Sequence, residues 1–341
     1  MLARTGAFTK TGRGFRSMAQ IRDVAKAAGV SVGTVSMVLN HKDYGSAEIR
    51  QKVEEAVREL HYVPSEMARN LSLQRTKTVG IIVPMVSHPF FAELVESMEE
   101  SLYHLGYKTM LCCTQKKDNA EHTFIEMLKR QTMDGIIMGA HSLDVELYQN
   151  LNRPVVAFDR YLSEAIPIVH CDHKLGGQLA AKAFLRHSCH HIVEISNSSM
   201  VRIPALEYHH AFGEIMQSHG VRTDIVAMPW NAFSYNDYLK VAEELFDCYP
   251  DVDGILGSDL SVASCLQVAM QRGIRVPEQL KVVAYDGTVI TRTGQHMITA
   301  VRQPIAELAD LAARKIVYRI TGKTDDLPCV LPPTLLSGET C

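Results

Sequence analysis

IRDVAKAAGVSVGTVSMVLN, residues 21–40, reads as two short helices broken at Ala28-Gly29-Val30-Ser31. Ile21, Val24, Ala25 and Ala28 share one helical face. Gly29 stands where a chain leaving a helix needs positive φ, and Ser31 is placed to cap a second helix that turns Val35, Val38 and Leu39 inward. This spacing predicts a helix-turn-helix. A third helix opening at Ser46 offers Ile49, Val53, Val57 and Leu60 to close a three-helix core over the first two. Pro64 can open one more short helix, SEMARNLS (65–72), which is too short and polar to fold alone.

From Thr78 the pattern changes to apolar runs separated by helical periods. TVGIIVP, a helix over about 91–105, YKTMLCCT, a helix over about 120–131, DGIIMGA, a further helix, PVVAFDR and IVHCD follow one another. A second series comprises a helix from Gly176 to His187, HIVEIS, a helix near 205–219, DIVAMPW, a helix near 235–248, GILGSD, a helix from Leu260 to Gly273, and KVVAYDG. Strands alternating with helices at this spacing imply parallel sheets with crossover helices. Two doubly wound sheets in series would hold a ligand cleft at the carboxyl ends of their strands.

The 341 residues suit two to three domains, and the 46% apolar fraction is that of a globular chain. No apolar run reaches the ~18–20 residues that span a bilayer, and the N-terminus lacks a signal-peptide core, so a cytoplasmic protein is expected. The eight cysteines show no CxxC pair, which favours reduced thiols over disulfides or zinc. Residues 1–75 hold 12 Lys/Arg against 7 Asp/Glu while the rest of the chain is net acidic, so the head is the part suited to a polyanion.

IRDVAKAAGVSVGTVSMVLN, IRQKVEEAVRELHYVPSEMARNLS, TVGIIVP, HPFF, DGIIMG, PVVAFDR, GILGSD, VPEQLKVVAYDG and ITAVRQPI stand in an order that resembles the LacI/GalR (lactose-repressor) family of bacterial transcription regulators. The resemblance runs from about residue 20 to the C-terminus. It implies a small all-α helix-turn-helix headpiece plus an α/β periplasmic-binding-protein-like core of two doubly wound parallel-sheet subdomains, acting as a homodimer. The expected division is a disordered leader (1–18), a headpiece (19–63), a hinge helix and linker (64–76), and an effector-binding and dimerisation core (77–341). Within that core an N-subdomain would take about 77–175 plus 303–333, and a C-subdomain about 176–302 plus the tail. The leader carries four basic residues and no acidic one up to Arg16; it reads as a disordered extension upstream of a true start at Met18, with a DNA-contacting arm as the alternative.

An α-helix fits the major groove and its first exposed residues reach base edges. Ser31, Val32, Gly33, Thr34, Ser36, Met37 and Asn40 are the expected contact residues to a pseudo-palindromic double-stranded operator. The family usually presents Arg where this chain has Met37; Met donates no hydrogen bond, so an apolar contact, such as a thymine methyl, replaces a guanine contact. Packing of Met37 into the head's core is the alternative. By resemblance Leu71 is the leucine wedged into the minor groove, with Arg69 and Asn70 beside it near phosphates. An ordinary linker leucine is the plainer reading.

In the core the resemblance assigns effector contacts to His88, Phe90, Phe91, Asp159, Arg160, Tyr208, Trp230, Asp259, Asp286 and Gln303. Trp230 ends the strand DIVAMPW and could stack on a sugar face or pack in the core. Asp286 is the stronger acceptor of ligand hydroxyls, while Asp259 could instead organise its loop or cap the next helix. Tyr208 aligns where the family often has Arg, which disfavours an anionic effector. YDGT (285–288) is similar to regulators of sucrose and oligosaccharide operons, so a neutral, sucrose-like sugar is the expected effector. His187, Cys189, His190 and His191 read as loop surface, not as a metal cluster, and His209-His210 as straddling surface and cleft. No metal and no cofactor is expected.

Three classes are weighed. A transport-type sugar-binding protein would need a signal peptide and would carry no helix-turn-helix. An α/β enzyme would be expected to show a phosphate loop, a GxSxG elbow or paired carboxylates, and none stands out in the sequence. A regulator uses both halves. Within that class, control by a protein corepressor or a non-sugar ligand is the rival.

Overall fold

A computed structural model describes residues 19–40, 44–64, 70, 75–115, 120–140, 146–149, 151–196, 203–229 and 232–341. Leader residues 1–18, Arg69, Leu71 and Trp230 lie outside the described residues. The chain divides into two compact units, Met1–Gln74 and Arg75–Cys341.

The first unit holds three helices, α1 (Ile21–Ala28), α2 (Val32–Asn40) and α3 (Ala47–Glu59). Gln20 and Asp23 cap α1 reciprocally, and Gly29 ends it at φ 66°, the left-handed conformation that costs glycine nothing. The Ser31 hydroxyl receives the Thr34 amide at 3.0 Å and starts α2. Ser46 receives the Ile49 amide at 3.3 Å and starts α3. Val24, Val35 and Val53, all with no accessible surface, meet at the centre with Ala25, Ala28, Val38 and Ala56 around them. Ile49, Val57 and Leu60 pack at the margin of this core.

The second unit contains two six-stranded sheets. The first consists of β1 (Thr78–Val83), β2 (Lys108–Cys113), β3 (Gly135–Met138), β4 (Val155–Phe158), β5 (Ile168–Cys171) and β11 (Val330–Leu331), in the order β11-β5-β4-β3-β1-β2 and parallel throughout. Around it lie α4 (Pro89–His104), α5 (Ala120–Lys129) and α10 (Ile305–Thr321). The second sheet consists of β6 (His191–Ser196), β7 (Arg222–Ala227), β8 (Gly254–Ser258), β9 (Lys281–Asp286), β10 (Thr299–Arg302) and β12 (Thr334–Leu336), in the order β12-β10-β9-β8-β6-β7. It is flanked by α6 (His173–Phe184), α7 (Leu206–Ser218), α8 (Tyr235–Cys248) and α9 (Asp259–Gln271). Strand interiors such as Ile81–Val83 and Val282–Ala284 are buried on both faces, as helices on both sides of a parallel sheet require.

The chain passes between the sheets three times, after β5, after β10, and between β11 and β12. The last passage leaves β12 antiparallel to β10, because a strand entering from the cleft runs away from it. Parallel order is therefore broken at that one edge. The helix expected between DGIIMGA and PVVAFDR is, among the described residues, a single 3-10 turn at Glu146–Tyr148. Its Tyr148 is drawn inward because the phenol donates to Glu121 Oε2 at 2.8 Å.

Candidate functional site: the headpiece surface and the cleft

On the headpiece, Val35 and Val38 fill the inward face of α2 and leave its other face to solvent. Val32 is 41% and Met37 40% exposed, so Met37 is a surface side chain and not a core one. Gly33 is exposed, Thr34 and Ser36 are half-buried, and Asn40 donates to the Ser36 carbonyl at 2.9 Å. The sequence of α2, VGTVSMVLN, has no charged residue. Its amino end still carries the helix-dipole charge and free amides that suit a phosphate. Asn70 is half-buried and helical, and it is the one described residue of the expected hinge contacts.

In the core, Asp159 and Asp286 stand at the carboxyl ends of strands. Asp159 follows β4 at φ 48°, and Asp286 ends β9 at φ 132°. Positive φ at two non-glycine residues is strain of the kind found where a side chain must be held at a set angle. Asp159 Oδ1 lies 3.0 Å from His173 Nε2, and His173 Nδ1 lies 2.9 Å from the Tyr285 hydroxyl, which links the two lobes through the first residue of α6. Asp286 Oδ1 accepts from Gln303 Nε2 at 2.8 Å. Burial, then repulsion by Asp259, pushes the Asp286 carboxyl well above the usual carboxylate range, with Asp159 and Glu93 adding to it.

Asp259 belongs to the supporting structure. Its Oδ1 accepts the Gly287 amide at 3.1 Å, and its Oδ2 accepts both the amide and the hydroxyl of Thr288 at 2.6 Å. It is 2% exposed, and burial raises its carboxyl to about 6. Three donors leave it little capacity for a ligand, so it organises the loop that presents Asp286. Arg160 is likewise turned away from solvent. It has no accessible surface, and its Nη1 donates to both Glu121 oxygens at 3.1 and 3.2 Å and to the Ala140 carbonyl at 2.5 Å. Its place is behind the cleft wall, because a buried guanidinium is held where its carboxylate partner lies.

Tyr208, on α7, stacks on Tyr285 with centroids 4.0 Å apart and on His209 at 3.8 Å. His209 Nδ1 meets the buried Glu194 at 2.7 Å, and His210 faces outward. A Cβ on Gly176 would lie 2.3 Å from the Tyr285 hydroxyl, and one on Gly177 the same distance from the Tyr208 carbonyl. The glycine pair is what admits this aromatic stack. His88, Phe90 and Phe91 occupy the start of α4, with Phe90 and Phe91 edge-to-face at 5.4 Å. The far lobe adds Phe233, Tyr238 and Ser258, whose roles the sequence reading missed. Tyr238 lies in the first turn of α8, within an amphipathic pattern, and carries no local signal. Among the residues read as loop surface, His191 is a correction: it opens β6, is 3% exposed, and lies 2.9 Å from Asp224 and 3.1 Å from Asp251. Cys189 is buried as well.

The raised carboxyls have a stability consequence. A native carboxyl titrating above its unfolded value near 3.9 keeps its proton to higher pH than the unfolded chain does, so stability falls as pH rises from about 4 through about 6. The core of the wild type should lose stability between about pH 5 and pH 7.5, on the order of 1 kcal/mol from Asp259, with Asp286 adding a loss in the same direction. Urea unfolding of wild type and Asp286→Asn at both pH values checks this. The variant should show the smaller loss, and equal losses would refute the assignment.

Comparison with known proteins follows the same division. Residues 20–65 match the model of bacterial regulatory proteins of the lacI family, and residues 76–330 that of periplasmic binding proteins and the sugar binding domain of the LacI family. A ribose operon repressor of Halalkalibacterium halodurans is 35% identical over 95% of this chain and 97% of its own length. A sucrose operon repressor of Streptococcus mutans is 34% identical over 95% and 99%. The solved complex of the transcriptional regulator CelR with cellobiose has a TM-score of 0.70 at 28% identity, covering 95% of this chain and all of that one.

Proposed function

From the premise that the chain belongs to the LacI family of transcriptional repressors, with a DNA-binding helix-turn-helix unit and a sugar-binding type of core, we propose that a neutral sugar releases this repressor from its operator. The observation that carries the effector class is the placement of two carboxyls at the strand ends, Asp159 joined through His173 to Tyr285 and Asp286 next to Tyr285 at the end of β9. An anion would be repelled by these carboxylates when ionised, whereas sugar hydroxyls are donors that carboxylate oxygens accept. The relatives named for ribose and sucrose operons, and the CelR complex with cellobiose, support the same class. No helix among the described residues is long and apolar enough to cross a membrane, which suits a cytoplasmic regulator.

The proposed active form is a homodimer on a pseudo-palindromic operator. The edge strands β2 and β7 leave Leu111 45% and Ile225 58% exposed, an edge that a second copy would cover. Residues 19–63 would read the major groove and residues 64–76 would form the hinge, with Leu71 as its wedge. Because so short a helix is unstable alone, its order depends on partner and DNA. The sugar would favour a core arrangement that disfavours paired hinges, and can do so only through its differential affinity for the two states.

Fluorescence anisotropy on a palindromic site from DNA upstream of the protein's own gene, at fixed salt, tests this against sucrose, ribose, cellobiose and sugar phosphates. Release by a neutral sugar is expected. Tight binding indifferent to every sugar would move control to a protein corepressor or a non-sugar ligand. On the DNA side, Met37→Arg is expected to gain about 1–3 kcal/mol of preference for guanine over thymine at one position of each half-site, because a guanidinium bonds guanine bidentately. Binding to a library randomised at each half-site position measures it, and an unchanged base profile would place Met37 outside the groove.

A further inference from the structure

The three chain passages lie at one edge of the two sheets, beside β5 and β11 in one lobe and β10 and β12 in the other. His88 follows β1, and α8 follows β7, towards the opposite edge. There His88 Nε2 lies 3.2 Å from the Tyr238 hydroxyl, one of the polar contacts that join the lobes, at the side furthest from the passages. Phe233 meets His88 at 6.1 Å and Phe91 at 6.3 Å, both edge-to-face, so a small aromatic clasp surrounds the bond. His88 is 7% exposed, and its other ring nitrogen, Nδ1, is buried with no hydrogen-bond partner.

We propose that His88 and Tyr238 form a latch on the open side of the cleft, in which Nε2 holds the lobes together and Nδ1 awaits a hydroxyl of the effector. Burial holds the imidazole neutral, down to about 4, so one ring nitrogen carries the proton and the other accepts. Whichever tautomer forms, joining Nε2 to Tyr238 leaves Nδ1 with one unmet hydrogen-bonding role. An unmet buried polar atom disfavours the closed state, and a ligand hydroxyl at Nδ1 removes that penalty. Closure is thus coupled to a ligand that brings a hydroxyl to this point. The Nδ1 half of the proposal rests on reading the cleft as the effector site; the Nε2 half does not.

The two nitrogens are separable, because a Gln amide reaches the position of Nε2 and an Asn amide that of Nδ1. Hydrogen exchange of residues 88–92 and 232–238 in the full-length, sugar-free protein reads the latch. Tyr238→Phe and His88→Asn should raise exchange about tenfold, the worth of one hydrogen bond, and His88→Gln should stay within about twofold of wild type. Calorimetric titration with sucrose and with ribose reads Nδ1: His88→Gln should weaken whichever sugar binds the wild type by about tenfold while leaving exchange protected. Wild-type exchange in Tyr238→Phe overturns the latch whatever the sugars do. Undiminished sugar affinity in His88→Gln overturns the Nδ1 role. If no sugar binds the wild type or releases the operator, the effector reading and the Nδ1 role fail together, and the latch is judged on exchange alone.

Discussion

Glu121→Ala is expected to destabilise the core by about 3–5 kcal/mol, the cost of leaving a buried charge without its partner. Arg160 has no accessible surface and Glu121 is 5% exposed, so neither group can turn to water when the other is removed. Beyond the two Arg160 contacts, Glu121 accepts the Tyr148 hydroxyl at 2.8 Å, and the guanidinium lies 5.6 Å from the Tyr148 ring. The alanine variant removes both Arg160 contacts and the Tyr148 hydrogen bond at once. Arg160→Met combined with Glu121→Leu should cost far less than the two single changes added together, because an apolar pair of similar volume removes both charges and both desolvation penalties. Urea unfolding of wild type, Glu121→Leu, Arg160→Met and the double variant closes the cycle, with Glu121→Ala measured beside them. A Glu121→Ala loss below about 1 kcal/mol would mean that water reaches the pair, and the buried-pair account would fail. The same cycle bears on the cleft, since Arg160 adjoins Asp159, which stands at φ 48°.

The sequence made the headpiece legible because its determinants are local. Gly29, Ser31 and Ser46 each act within four residues of themselves, and periodicity alone places Val24, Val35 and Val53 inside. The alternating strands and helices were legible for the same reason, down to Asp286 at a strand end. What could not be read was which carboxylate is already occupied. Asp259 directly follows β8 and Asp286 ends β9, but their difference lies in Thr288 and Gln303, 29 and 17 residues away in sequence. Arg160 was misplaced on the same ground: its partner Glu121 is 39 residues distant on α5, and nothing near residue 160 announces it. The His88–Tyr238 contact spans 150 residues and two lobes, and only the folded chain brings it together. Nothing in Ser188, Cys189 and His190 marks His191 as an inward residue; Asp224 on the neighbouring strand and Asp251 enclose it.

Asp286→Asn is expected to leave operator binding intact and to raise the sugar concentration needed for release by about 100-fold, or ~2.7 kcal/mol. A carboxylate accepting sugar hydroxyls makes charge-assisted bonds, each worth roughly 1.5–3 kcal/mol, and asparagine replaces one acceptor oxygen with a donor. Asparagine also tolerates positive φ, so the backbone at φ 132° and the Gln303 contact are kept while the charge is lost. Burial, then Asp259, Asp159 and Glu93, hold the Asp286 carboxyl above its usual range, and hydroxyl donors bind its ionised form more tightly than its protonated form because the bonds are charge-assisted. Wild-type sugar affinity should therefore rise with pH, and the variant's should stay flat at the low level of the protonated wild type. Operator anisotropy with sugar titrations at two pH values reads all of this together. A variant that releases DNA at the wild-type sugar concentration would remove Asp286 from the ligand site. One that no longer binds operator even without sugar would show that Asp286 sets the equilibrium between core states itself, and does not only report ligand to it.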